Sequence, residues 1–207
     1  VRAVPYIPLL QLDNVRTGFF EPTELERLLP HLEADLADFA AWCYTTGMRK
    51  GEAAALTWPM LDRSGAVWAL KIPAAIAKNR EGRSLPVVGS ARAVIERRLK
   101  ARRLDTPLIF HRVAQGQAGQ PIRAFDKAWT NALKKARLLK GRLFHDLRRS
   151  AARNLRRAGA TETEAMRVTG HKTASMFRRY SIVTDDDVAA ALRKQDAFLG
   201  RGKLRRS

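Results

Sequence analysis

Between Leu61 and Val88 the apolar pattern of this 207-residue chain changes its period, and that change constrains the architecture more than any other feature. The runs "AVWALKI" and "RSLPVV" carry bulky and β-branched residues at strand-like spacing, with "KNREG" between them as a turn signal. They predict a small antiparallel sheet of about three strands, with Lys78 beside the tip of the last hairpin. The rest of the chain reads as helix. Thr23 and Glu26 have capping-box spacing, and Pro30 follows the helix they would open. A second helix is predicted from Glu33 to Thr46, with Leu36, Phe39, Ala40 and Cys43 on one stripe and Gly47 as its left-handed end. A short third helix starts near Lys50 and carries Glu52, Ala55 and Leu56.

Beyond the sheet, "SARAVIERRLKARRL" reads as a helix capped by Ser90, and "IRAFDKAWTNALKKARL" places Ile122, Phe125, Trp129 and Leu133 on one face. "FHDLRRSAARNLRRAG" is closed by Gly159, and Thr161 with Glu164 opens "TETEAMRVTG" as a second capping box. A short helix over "TASMFRRY" and a final one from Asp186 to Phe198 complete the chain. The predicted class is mainly α with a small antiparallel β-sheet, an α+β fold.

Composition narrows the function. Lys and Arg number 39 against 20 Asp and Glu, a net charge of +19, and the basic residues recur along every segment. A surface this basic points to a polyanionic partner, most simply nucleic acid. The single cysteine, Cys43, sits in the apolar run "FAAWCYTTG" and cannot form an internal disulfide, so it reads as a core thiol from a reducing compartment. No signal peptide precedes the first helix, and no apolar run approaches the ~20 residues of a membrane span, so no membrane partner is expected. There is no "GxxxxGK[ST]" phosphate loop, and no Asp/Glu/His cluster has metal-ligand spacing.

Six residues attract chemistry as a set. Taken singly, each has an ordinary explanation: a surface arginine, a stray histidine, a half-buried tyrosine. Arg49 lies between a glycine-terminated helix and the next helix start, where free backbone N–H groups favour a phosphate. His145 and Arg148 are three apart at a helix start and share a face. His171 follows Gly170 on a tight turn, and Tyr180 lies nine positions on. A phenol with a pKa of about 10 is a poor nucleophile unless cations stabilise the phenolate. Together, Arg49, Lys78, His145, Arg148, His171 and Tyr180 suit attack by a phenol on a phosphodiester. The two guanidiniums would hold the non-bridging oxygens, a histidine would assist proton removal, and Lys78 would protonate the departing 5′-hydroxyl.

"TGMRKGEAAALTW", "AKNREGRSLPV", "HDLRRSAARNL" and "GHKTASMFRRY", in that order and at that spacing, resemble the catalytic domain of the tyrosine recombinases, the phage-integrase family. The resemblance runs from about Phe19 to Leu199. It implies a DNA breaking–rejoining fold in which Arg49 and Arg148 bind the phosphate and Lys78 is the hairpin lysine. His145 and His171 fill the two histidine positions, and Tyr180 forms a 3′-phosphotyrosyl link to double-stranded DNA. Glu52 matches a supporting acidic position that orients its neighbours. No cofactor is implied. The expected assembly is a homotetramer on two synapsed sites, in the cytoplasm with the nucleoid, of prokaryotic or phage origin.

The implied organisation is a linker remnant over 1–18, a catalytic domain over 19–184, a helix over 185–199 and a disordered basic tail over 200–207. The N-terminal core-binding domain of such enzymes is absent from the sequence, which predicts weak and strongly salt-dependent DNA binding. The last helix has an apolar face of Val188, Ala191, Leu192 and Phe198, compatible with docking in cis, docking on a neighbouring protomer, or hanging free. Two rival readings stay open. A type IB topoisomerase would share the chemistry without strand exchange between duplexes. A non-catalytic regulator would use "AARNLRRAGATETEAMRVTGHKT" as a helix-turn-helix and leave Tyr180 idle. A metal-dependent nuclease is disfavoured by the scattered carboxylates.

Overall fold

The computed structural model describes residues 18–77, 80–114, 116–138, 141–178 and 185–201. Three helices lead into the sheet: α1 (Pro22–Leu28), α2 (Ala34–Thr46) and α3 (Lys50–Ala54). The strands β1 (Leu61–Asp62), β2 (Trp68–Ile72) and β3 (Arg83–Val87) follow, and then α4 (Gly89–Lys100) and α5 (Asp126–Lys135). The chain continues through α6 (Asp146–Arg157), α7 (Glu162–Thr169), α8 (Ala174–Arg178) and α9 (Asp185–Arg201).

The expected sheet is present, antiparallel, in the order β1-β2-β3, with Leu61 opposite Leu70 and Ile72 opposite Arg83. Alternation sets its buried face: Leu70 and Ile72 from β2 meet Leu85 and Val87 from β3, while Lys71, Ser84 and Pro86 face outward. β3 is an edge strand, where a proline costs no ladder bond to a further neighbour.

Helix α2 is the centre of the molecule and packs on both α4 and α6. Its Leu36, Phe39, Ala40 and Cys43 are buried as the stripe predicted, and Trp42 joins them. Phe39 stacks on Phe144 at 5.4 Å and meets Phe110 edge-on at 5.5 Å, and Trp129 closes on Phe144 at 5.1 Å. Such aromatic pairs add about 0.5–1.5 kcal/mol each beyond their buried area. They fix the connection from α5 to α6 around Phe144, one residue before His145.

Five boundaries differ from the sequence expectation. Helix α1 opens at Pro22 rather than after Thr23, with the Glu21 N–H bonded to Glu24 Oε2 at 2.9 Å. Proline lacks the N–H that a first helical residue leaves unpaired, so it starts the helix two residues early. Pro30 lies in a 3₁₀ turn over Leu29–His31 that continues α1. Helix α3 stops at Ala54 because the next residues leave to pair elsewhere: Ile109 N donates to Leu56 O and Trp58 N to Pro107 O, both at 2.9 Å. Helix α4 begins at Gly89, with Arg92 N donating to Val88 O, so Ser90 lies within its first turn and is not its cap. The last helix runs through Gly200 and Arg201, past the predicted end, and leaves Val188, Leu192, Phe198 and Leu199 exposed.

The glycine at the end of α2 is required twice. Gly47 has φ of 64°, and a Cβ there would lie 2.7 Å from Thr169 Cγ2 and 3.1 Å from Ala151 Cβ. Gly89 also has positive φ, at 53°, but no atom lies within 4 Å of its Cβ position. Gly89→Ala should cost about 1 kcal/mol from backbone strain alone, and Gly47→Ala about 2–4 kcal/mol from strain plus overpacking. Urea unfolding of the two variants, at unchanged m, checks the difference. Equal losses would show that the contact between Gly47 and Thr169 carries no load.

Candidate active site

The site forms where two helices end and two begin. Helices α2 and α7 both stop at left-handed glycines, Gly47 with φ of 64° and Gly170 with φ of 70°. Two residues after the first glycine, Arg49 is the N-cap of α3, and directly after the second comes His171. Between them lies the first turn of α6, with His145 at its N-cap and Arg148 on its inner face.

Arg148 is 2 % exposed, and its Nη1 donates to the carbonyls of Gly47 and Thr169, closing the ends of α2 and α7 on one guanidinium. Arg49 Nη1 donates to Glu52 Oε1 at 2.8 Å and to Gly170 O at 3.4 Å. The other oxygen of Glu52 accepts from Arg83 Nη2 at 2.9 Å. Burial works to raise the Glu52 carboxyl, but the bonds from Arg83 and Arg49 outweigh it and hold the group below its ordinary range. Glu52 is therefore an anion at neutral pH and orients Arg49. Its role as a supporting acid was read from the sequence; the partner on its other side was not.

Arg83 is the residue that sequence reasoning missed. A signal existed: Arg83, Leu85 and Val87 share the inward register of β3, so a charged residue stands where the alternation demands an apolar one. Its guanidinium lies directly beneath the Gly170 turn, where a Cβ on residue 170 would come within 2.8 Å of Arg83 Cζ.

His171 is buried against Phe177, ring to ring at 5.5 Å, with Nδ1 2.7 Å from Thr169 Oγ1. Burial first, and then the charges of Arg148, Arg49 and His145, push its pKa from an ordinary 6.5 down to about 3. His145 stands at the exposed rim, and the packing around its ring and Arg148 also lower its pKa, against an opposing pull from Asp146. Both imidazoles are neutral at pH 7. A cleft of about 590 Å³ opens beside His145 and Arg148, with Met48, Trp129, Phe144 and Lys50 among its lining residues.

The fold thus brings Arg49, Glu52, His145, Arg148 and His171 together from three separate stretches of sequence. Lys78 and Tyr180 lie outside the described residues. Among the described residues no group of three or more His, Cys, Asp or Glu could hold a metal ion, and no helix is long and apolar enough to cross a membrane. Two fixed guanidiniums beside two neutral imidazoles can hold a phosphodiester and exchange a proton with a group that attacks it.

Comparison with known proteins agrees with this geometry. The sequence profile of the phage integrase family matches residues 19–186. The chain belongs to that family. It is 24% identical over 204 residues to the integrase of Salmonella phage P22, covering 95% of this chain and 51% of that protein. The chain therefore spans about half the length of this curated relative. Among solved structures, XerA recombinase superposes with a TM-score of 0.64 at 16% identity, covering 86% of this chain and 65% of that one. The Tn1549 transposon integrase, in complex with circular intermediate DNA, gives 0.64 at 20% identity over 88% and 67%. A lambda integrase dimer bound to a core site gives 0.64 at 16% over 80% and 59%. These likenesses establish the tyrosine recombinase catalytic-domain fold expected from the sequence.

The buried imidazole has a consequence for stability. In the unfolded chain His171 takes up a proton as the pH falls through 6.5, whereas in the folded state it resists protonation until about 3. The unfolded state then binds more protons, so stability drops as the pH falls across that window. His171→Asn should flatten the urea-unfolding midpoint between pH 7 and pH 5, leaving a smaller slope from His145. Below pH 4.5 the protonation of unfolded Glu52 and Glu24 adds a further loss in both proteins. A wild-type midpoint constant from pH 7 to pH 5 would contradict a neutral, buried His171.

Proposed function

We propose that this chain is the catalytic domain of a site-specific DNA recombinase that cuts and rejoins double-stranded DNA through Tyr180. The observation that carries the reading is the convergence of Arg148, Arg49 and His171 at the ends of α2 and α7, in a chain of the phage integrase family. Arg49 and Arg148 hold the scissile phosphate and stabilise the charge that builds up at phosphorus, and Glu52 keeps Arg49 aimed. The Tyr180 hydroxyl gives its proton to one of the two histidines and its oxygen bonds to phosphorus as the bond from phosphorus to the 5′-oxygen breaks. Lys78 gives that oxygen a proton. The 3′-phosphotyrosyl link conserves the bond energy, so the reverse step, with a new 5′-hydroxyl, rejoins strands without ATP or metal.

On this reading the partner is duplex DNA, drawn to a chain of net charge +19. The working assembly is a tetramer on two sites, in which the exposed apolar residues of α9 have a neighbouring protomer to cover them. A phage or prokaryotic genome, and a place with the nucleoid, fit the family. The helix-turn-helix alternative gains no support, because the burial of α6 and the turn ending α7 are both used by the site itself.

The direct test traps the intermediate on nicked duplexes whose cut strand sheds a short piece. A detergent-resistant adduct to a DNA 3′ end should form in EDTA and vanish in Tyr180→Phe, which still binds. An adduct that survives Tyr180→Phe would remove the assignment of the nucleophile. Arg49→Ala should lower the rate of adduct formation by about 10²–10³, the usual scale for losing one charge-stabilising donor. It should also reduce the log–log salt slope of binding by about 0.9, the share of one phosphate contact. A slope unchanged by that substitution would place Arg49 away from the phosphate.

A further inference from the structure

Strand β3 begins with a charged side chain in its buried register. Arg83 shares the inward face of β3 with Leu85 and Val87, and its side chain is only 13% exposed. One nitrogen of its guanidinium, Nη2, donates to Glu52 Oε2 at 2.9 Å. Nη1 and Nε are buried and, among the described residues, have no hydrogen-bond partner. A buried donor left in that state costs stability, and an apolar side chain in line with Leu85 and Val87 would not. Packing alone therefore does not account for an arginine here.

Its contacts do. Glu52 gives its other oxygen to Arg49 Nη1 at 2.8 Å, so two guanidiniums set the direction of one carboxylate. The flat of the Arg83 guanidinium also lies against the turn that ends α7. A Cβ on residue 170 would stand 2.8 Å from Cζ, 2.9 Å from Nη1 and 3.0 Å from Nη2. Near-equal distances to three atoms of a planar group mean that its face, not its edge, meets Gly170. Arg49 Nη1 reaches the carbonyl of the same glycine, at 3.4 Å. Two residues before Arg83, Glu81 Oε1 lies 3.0 Å from Lys172 Nζ. That pair is exposed and adds little strength, but it puts contacts from this stretch of chain on both sides of His171.

We propose that Arg83 is a positioning residue of the active site: it braces Glu52, and through it Arg49, and it backs the turn that presents His171. This deepens the proposed function and rests on it for the reaction that the brace serves. Arg83 acts through Glu52 and the Gly170 turn and does not itself hold the phosphate, which stays with Arg49 and Arg148. A planar guanidinium suits both tasks at once, because its edge pairs with a carboxylate while its face packs on backbone. A lysine has a single nitrogen and no plane, so it can replace the ion pair but not the packing on Gly170.

The test compares Arg83→Met and Arg83→Lys with wild type in the full chain, each first shown to be folded by urea unfolding. Arg83→Gln takes the place of Arg83→Met should the latter not fold. The ionisation of Glu52 is read by NMR from its carboxyl in ¹³C-glutamate-labelled protein, assigned with Glu52→Gln. Arg49 and Arg83 are bonded to that carboxyl, and the Cys43 thiol of α2 is near enough to feel its charge. Wild type should stay ionised to below the ordinary glutamate range. Arg83→Met removes one of the bonds that hold the charge, so Glu52 should take up its proton at a pH about one unit higher or more, and Arg83→Lys should move it less. On the nicked duplex at saturating DNA, Arg83→Met should slow adduct formation roughly tenfold, with Kd changed less than about twofold. That loss should deepen from pH 7 to pH 5 as Glu52 protonates, and Arg83→Lys should recover part of the rate. Combined with Glu52→Gln, the two losses should fall well short of multiplying, since one residue acts through the other. An unmoved Glu52 titration in Arg83→Met, losses that multiply in full, or a loss confined to DNA affinity each overturns the proposal. The titration needs no DNA. If no adduct forms even in wild type, the recombinase reading falls while the spectra still decide the brace.

Discussion

A guanidinium buried without compensation would cost several kcal/mol, and Arg148 is almost fully buried at the middle of this molecule. Its compensation is mainly backbone. The carbonyls of Gly47 and Thr169 stand at the C-terminal ends of α2 and α7, where unpaired C=O groups and the helix dipole present negative partial charge. Left-handed glycines end both helices and turn the chain away, leaving those carbonyls open for a side chain to reach. The rest of the site follows from that junction. Arg49 comes two residues after one helix end and His171 immediately after the other, so bringing the helices together on Arg148 brings the chemistry together. Dipoles fixed by the fold need no rearrangement when an anion arrives.

That design crowds positive charge, and Glu52 is the answer to it. Arg49, Arg83 and Arg148 all approach the Gly170 turn, two of them from outside the helix junction. One carboxylate gives one oxygen to Arg49 and the other to Arg83, and both bonds are short. The acid joins α3 to the sheet, so the strand region is tied into the arginine cluster. Neutral imidazoles are the other consequence. Burial first, and then the charges of Arg148 and Arg49, keep His171 unprotonated at neutral pH.

Much of this was legible in the sequence because it rests on local rules. The change of period at Leu61, the glycine after Thr46, and the Thr161–Glu164 box each encode backbone geometry within a few residues, and the structure follows them. The site was legible for a different reason: its arginines and histidines stand beside helix ends, where their position along the chain already says what backbone they adjoin. What escaped depends on contacts between distant segments. Helix α6 is arginine-rich, yet its residues from Asp146 to Arg153 are all buried. Their partners are Glu21, which bonds Arg153, and Phe19, which lies against Arg149 and Arg153, more than a hundred positions earlier. Arg83 escaped because its value lies in Glu52, and Thr169 because a threonine at a helix end has a routine bond to its own i−4 carbonyl.

That routine bond makes Thr169 informative. Taken alone, the Ala165 contact is ordinary helix chemistry, and the His171 contact is an ordinary polar neighbour. Both contacts meet on one hydroxyl. The same residue presents its methyl to Gly47, and its carbonyl binds Arg148 together with the carbonyl of that glycine. The fit of α7 against the end of α2 and the seating of Arg148 are therefore not independent properties. A shift of α7 large enough to relieve a side chain at position 47 moves an acceptor of Arg148 and the hydroxyl beside His171 Nδ1 together. In this fold the packing of two helix ends and the seating of a buried guanidinium meet at one threonine, which couples stability to the geometry of the site.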